Sequence, residues 1–187
     1  MSADLDAFIA GLETLHREEV RWGDVRLDMK LYLSVMTPPR ALITSVRAVV
    51  FRRSAVVVVD DTVGGSHVMP GGRMEPGETV AETLEREVLE ECGWTLAATS
   101  PFGFIHFHHV TPRPYSYGYP YPDFLHLLFL GEAGEYRRGE LKRDGEVETG
   151  SRLTSFCRAL LRVTSDQKVL LAKALETRKV AGRPGAG

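Results

Sequence analysis

The sequence predicts an α+β fold, a mixed sheet packed against helices. Three observations lead there. From Leu42 onward the apolar residues fall mainly in short strand-like runs, while helical spacing is confined to the start, to a segment near Val80–Cys92 and to the end. The order of these elements, strands followed by helices with no internal repeat, belongs to mixed sandwiches rather than to solenoids or bundles. At 187 residues, with 43% hydrophobic and 26% charged side chains, the chain has the make-up of one globular domain with a full core.

Taken in order, Leu5, Phe8, Ile9, Leu12 and Leu15 keep helical spacing among Glu13, Arg17 and Glu18, so an amphipathic helix is expected over Asp4–Val20. Leu27, Met29, Leu31 and Leu33 alternate with Asp28, Lys30 and Tyr32, the period of a half-buried strand that Thr37-Pro38-Pro39 stops. Residues 1–40 therefore read as a helix-and-strand extension. Ser45–Phe51 and Ala55–Val59 form a hairpin across Arg52-Arg53-Ser54. Asp60–Ser66 is turn-rich, and Pro70-Gly71-Gly72 breaks regular structure before a helix from Val80 to Cys92. Phe102–Val110 and Phe124–Leu130 read as strands joined by a Pro- and Tyr-rich loop, and Gly131–Gly150 as a polar loop with at most one short strand. Phe156, Ala159, Leu160 and Val163 return to helical spacing, and Ser165 or Asp166 caps a last helix carrying Val169, Ala172 and Leu175. The main domain is expected over 41–178 and a flexible tail over 179–187.

Composition narrows the function. Twenty-three basic against 25 acidic side chains leave a formal charge of −2, which argues against a long nucleic acid or an anionic membrane as partner. Two cysteines, Cys92 and Cys157, are too few for a disulfide framework, and neither a secretory signal nor a membrane span is evident, so a soluble protein of the reducing cytoplasm is expected. A homodimer is a candidate state on which the sequence is silent.

The chemistry lies in Gly72–Trp94, GRMEPGETVAETLEREVLEECGW. Thr79 with Glu82 three residues on is a capping box, and Gly93 suits a left-handed end. Val80, Leu84, Val88 and Cys92 step by four and make the apolar stripe. Glu87, Glu90 and Glu91 then crowd a neighbouring patch, where repulsion costs a few tenths of a kcal/mol per pair, roughly, unless cations offset it. Oxygen ligands of this kind suit Mg2+ or Mn2+. Arg86 can reach Glu90 one turn on, and Pro70-Gly71-Gly72 offers a bare backbone near the helix start for a phosphate.

This segment resembles the Nudix box, whose fixed positions fall here on Gly72, Glu78, Arg86, Glu87, Glu90, Glu91 and Gly93, with Val88 and Trp94 at its bulky apolar places. Chance agreement at seven fixed letters is on the order of one in 10^8 per start position. Trp94, where an aliphatic residue is commoner, bears on packing. The likeness covers about Leu42–Leu130. It implies an α/β/α sandwich around a mixed sheet, a divalent metal held by Glu87, Glu90 and Glu91, and support from Arg86, Glu78 and Gly72. It also implies hydrolysis of the diphosphate in a small nucleotide-like substrate, a nucleoside diphosphate linked to another group. Glu87 is the candidate general base within the box, and Glu146 or Glu148 the candidates in a later loop. Two rivals share the fold: a nucleotide sensor without turnover, and an isoprenoid diphosphate isomerase needing a catalytic cysteine, for which Cys92 on the buried stripe is poorly placed.

Arg47, Tyr117, Tyr119 and Glu146 are the candidate substrate-binding residues. The series Tyr115, Tyr117, Tyr119 and Tyr121 is either a stacking platform for a base or a rigid surface loop. His106, His108 and His109 are either a second metal or substrate site or, the preferred reading, strand histidines with ordinary hydrogen bonds.

Overall fold

A computed structural model describes residues 3–61, 65–141 and 148–181. In chain order they form α1 (Ala3–Ile9), β1 (Thr14–Trp22), β2 (Val25–Leu33), β3 (Ile43–Arg52), β4 (Ala55–Asp61), β5 (Ser66–His67) and β6 (Gly71–Arg73). Then follow α2 (Val80–Cys92), β7 (Trp94–His109), β8 (Asp123–Tyr136), β9 (Glu148–Ser155), α3 (Phe156–Leu160) and α4 (Ser165–Ala181).

The expected hairpin is β3–β4, closed by Arg53 in the left-handed region at φ 53° and braced by Arg178, which donates to the Arg53 carbonyl at 2.6 Å. The strands stay paired only from Phe51–Val56 to Arg52–Ala55 and then part. Beyond that point β3 takes β6 and β4 takes β5, while β9 pairs with β4 along its whole length. Sheet order is β1-β2-β7-β8-β3-β4-β5, with β3 and β8 parallel and every other pair antiparallel, so the sheet is mixed as expected.

Period-two alternation decides what each face covers. On β3 Val46, Ala48 and Val50 join Leu84, Val88 and Cys92 of α2 and Leu5 of α1 in one core, while Val49 and Phe51 join Leu170, Leu171 and Ala174 of α4 in the other. On β4 Val57 and Val59 face α2, and Val56 and Val58 face α4. Helices therefore cover both faces, the expected α/β/α sandwich.

Four local readings are corrected. The N-terminal helix ends at Ile9, because Gly11 takes φ +85° and the chain leaves it extended; residues 14–22 are a strand whose backbone groups pair with β2. Helical spacing of leucines there was fortuitous, since Leu15 and Val20 pack on the α4-side core from a strand. Gly71–Arg73 does not break structure: it pairs with Ser45–Arg47 as β6. The segment after Leu130 continues β8 to Tyr136, with Thr95 and Glu135 bonded across the ladder. In α4 the buried positions are Leu170, Leu171 and Ala174 rather than Val169, Ala172 and Leu175, and the helix runs on through Ala181, beyond the expected start of the tail. No helix among the described residues is long and apolar enough to cross a membrane.

Candidate functional site

α2 forms where local signals place it. The Thr79 hydroxyl accepts from the Glu82 amide and the Glu82 carboxylate from the Thr79 amide, the full capping box, and Gly93 ends the helix at φ 71° with its amide on the Leu89 carbonyl. Leu84, Val88 and Cys92 anchor the buried stripe, and this fixes the direction in which the glutamates project.

Arg86 organises the acidic patch, but its chief partner is not the expected one. Its guanidinium grips Glu78 bidentately, Nε to Oε1 at 2.6 Å and Nη2 to Oε2 at 2.9 Å, reaches Glu87 at 2.9 Å and stands 3.5 Å from Glu90. Glu78 also accepts from the Glu75 amide and the Thr83 hydroxyl. The Arg86 hydrogen bond, before these others, holds the Glu78 carboxyl down at about 2. Burial pushes the Glu87 carboxyl above the ordinary glutamate value, with Arg86 pulling the other way.

The glycines stand elsewhere than expected. Pairing with β3 carries Gly71 and Gly72 past the middle of α2, not to its capped N-terminus: the Gly71 amide donates to Glu91 Oε2 at 2.8 Å, and the Ser45 hydroxyl donates to the Gly72 carbonyl. A Cβ on Gly71 would lie 2.2 Å from the Val46 carbonyl oxygen, and one on Gly72 would lie 2.4–2.5 Å from the Glu87 carboxylate. Bare backbone is thus required where β6 meets the acidic turn. Arg73, next along β6, gives its carbonyl to Arg86 and lays its guanidinium 4.8 Å from the Tyr119 ring centroid.

On the α4 side of the sheet a cavity of about 340 Å³ is lined by Trp22, Thr44, Ser45, Arg47, Arg73, Tyr117, Tyr119, Phe124 and His126. An adjoining one of about 540 Å³ shares Trp22, Arg47 and His126 with it. His126 lies 20° from parallel with Trp22 at 6.2 Å. Burial first, then the charges of Arg47 and Arg73, drive its pKa down to about 3, so the ring is neutral at physiological pH. Arg47 lines the cavity and pairs across the ladder with Gly71, whose amide holds Glu91, so β3 and β6 join acidic turn and cavity.

Of the candidate substrate residues, Arg47, Tyr117 and Tyr119 come together on this cavity. Tyr115 is fully exposed, while Tyr121 packs on His109 and bonds the Thr111 carbonyl. Glu146 lies outside the described residues, as does the side chain of Glu148. Trp22, Arg73, Phe124 and His126 were not anticipated. Arg73 alone had a signal in sequence, its place directly after Gly72. Cys92 is wholly buried on the inner face of α2 and unavailable to a substrate.

Residues 41–174 match the family model described as NUDIX domain. The chain belongs to the NUDIX family. A Bacillus subtilis (strain 168) protein provisionally named 8-oxo-dGTP diphosphatase is 32% identical over 100 residues, 54% of this chain and 57% of that protein. The human 8-oxo-dGDP phosphatase is 66% identical over 29 residues, 16% of this chain and 9% of that protein. The chain thus spans little more than half the length of the first of these relatives and far less of the second. Among solved structures, a Bacillus subtilis pyrophosphohydrolase in mutant form superposes with TM-score 0.54 at 16% identity, covering 88% of this chain and 98% of its own. A NUDIX hydrolase from Nitrosomonas europaea gives TM-score 0.54 at 19% identity, covering 79% and 94%. These likenesses establish the NUDIX fold; Trp94, the unusual box residue, is accommodated in it between the Tyr136 ring at 4.8 Å and the Arg52 guanidinium at 4.5 Å.

Proposed function

We propose that this NUDIX protein hydrolyses the diphosphate of a small nucleotide, with the acidic turn of α2 holding magnesium (or manganese) and the aromatic cavity holding the nucleoside. The observation that carries the reading is the β3–β6 ladder: Gly71 donates its amide to Glu91, while Arg47 opposite Gly71 and Arg73 two residues on line the cavity that would hold the base. At about 340 Å³ the cavity is within the range of small-ligand sites, and its walls are mostly ring faces.

The donor set fits a hard dication. Glu87, Glu90 and Glu91 supply oxygen only, and all three stand half-buried within little more than one turn of α2, with the Gly71 amide holding Glu91. When bound, such a cation lowers the pKa of a water molecule and neutralises phosphate charge. Arg86 keeps Glu87 and Glu90 in place through its grip on Glu78, and the glycines of β6 leave room for the carboxylates. Glu87 is our candidate to take the proton of the attacking water. Tyr119, Trp22 and Phe124 offer stacking faces, and Arg47 and Arg73 offer cations toward the phosphates.

The names of the B. subtilis and human relatives support including oxidised guanine nucleotides among the candidates. A reducing compartment such as the cytoplasm suits a nucleotide enzyme whose two cysteines form no disulfide. The test is product chromatography over a nucleotide panel, 8-oxo-dGTP and 8-oxo-dGDP included, with and without Mg2+, beside Glu91→Gln. Magnesium-dependent turnover lost in the variant supports hydrolysis; tight binding without turnover in the unaltered chain would overturn it in favour of a sensor.

A further inference from the structure

The family's chemistry leaves one cluster of ligand-type side chains unused. His106 and His108 alternate on β7, and Asp123 lies directly across from His108 on β8. Asp123 Oδ1 stands 2.7 Å from His106 Nε2 and 2.8 Å from His108 Nδ1, and the three atoms lie within 4.8 Å of one another. Among the described residues no other group of three such side chains meets that criterion.

The cluster does not belong to the substrate cavity. Phe104, Leu125 and Leu127 pack toward α2, while Ile105, Phe107 and Phe124 pack toward α4. Alternation therefore puts His106, His108 and Asp123 on the α2 face, with the sheet between them and the cavity that His126 and Phe124 line. Two neighbouring strands hold all three residues, so their spacing is fixed by the ladder rather than by a loop.

We propose that His106, His108 and Asp123 form a second metal site, one for a divalent cation of the zinc and cobalt type. Two imidazoles and a carboxylate are donors that suit zinc, iron or nickel and disfavour magnesium. A cation about 2.0–2.2 Å from each donor holds any two of them no more than about 4.4 Å apart, and Asp123 Oδ1 now stands between the rings, so binding requires the carboxylate to swing off the ring nitrogens and the rings to close on the ion. The positive charge would lie against a carboxylate that is 2% exposed. The His108 side chain, 36% exposed, gives the way in and leaves room for water as a further ligand.

Proton balance limits the strength of the site. Both rings now give an N–H to Oδ1 or share it; as ligands they present lone pairs there and carry their protons on the outer nitrogens. His106 Nδ1 is buried with no hydrogen-bond partner, so its proton would be unsupported. Absence of such a partner weakens metal affinity by about 10–100-fold. Removable rather than permanent metal is expected.

The experiment uses the full chain, stripped with a chelator and kept in excess Mg2+ so that the α2 carboxylates are saturated. Cobalt(II) is added and followed by visible absorption and by metal analysis after desalting. The proposal expects one equivalent of cobalt with the ligand-field bands of a nitrogen-containing site, kept in Glu91→Gln and lost in His108→Ala, with zinc displacing it. No cobalt above the magnesium background, or equal binding in His108→Ala, overturns it. Asp123→Asn is the harsher variant; His108, being half-exposed, keeps the test valid if that one does not fold, and circular dichroism checks this. Magnesium-dependent nucleotide turnover is scored separately, so either proposal can fail alone.

Discussion

Gly72 shows how a single hydrogen can set a site. Its missing Cβ is the space that the Glu87 carboxylate occupies, so Gly72→Ala must move one or the other. Turnover should fall at least tenfold, since misplacement of a catalytic group by about 1 Å can cost about 10^2-fold, while circular dichroism stays that of the parent. Arg86 offers a second prediction. Its bidentate hold on Glu78 and its bond to Glu87 need a planar fork, so Arg86→Lys should not restore what Arg86→Gln loses. The pH profile carries a third. In the proposed role Glu87 ligates as the carboxylate, and burial raises its pKa in the metal-free chain, so metal uptake should fall on acidification at a pH above the ordinary glutamate range. Removing Arg86 takes away the group that opposes burial, and the acid limb should then move to still higher pH. An unmoved limb would assign it to another group.

Elements differ in how much of them a sequence can show. α2 was legible because its start, end and buried face are local: Thr79 and Glu82 cap, Gly93 stops, and Leu84, Val88 and Cys92 repeat. Thr79→Ala should cost about 1 kcal/mol, or roughly 2–4 °C in Tm for a chain of this size, with kcat within about twofold of the parent. β1 was not legible, because its reason to be a strand is the edge of β2, a pairing that helical spacing in Leu5–Leu15 conceals. β6 was not legible for the same reason: Gly71 and Gly72 suggest a turn by composition and form a strand only through Ser45–Arg47. Of the site, the box residues could be read directly, whereas Trp22 and His126 come to one cavity from strands about a hundred positions apart. Trp22→Ala should raise KM with kcat nearly kept, by roughly ten- to hundredfold if it stacks on the base at about 1–3 kcal/mol.

On the scale of the whole molecule, the sheet divides two kinds of chemistry. The face toward α4 carries a neutral, half-buried His126 on the same cavity as Arg47 and Arg73, and that arrangement has a stability consequence. The unfolded chain binds a proton at this ring near the ordinary histidine value, the folded one only near 3, so stability should fall as pH drops from about 6.5 toward 3. His126→Gln should flatten that part of the Tm-against-pH curve. Between the faces, β3 brings Arg47 to the cavity and pairs with the glycines that border the acidic turn, so recognition and cation binding share one strand. The direct test of the account is manganese(II) binding to the chain, followed by electron paramagnetic resonance of the free ion. The parent should take up Mn2+ in competition with Mg2+, and Glu87→Gln, Glu90→Gln and Glu91→Gln should each weaken uptake by tenfold or more. Uptake unchanged in all three variants would contradict it.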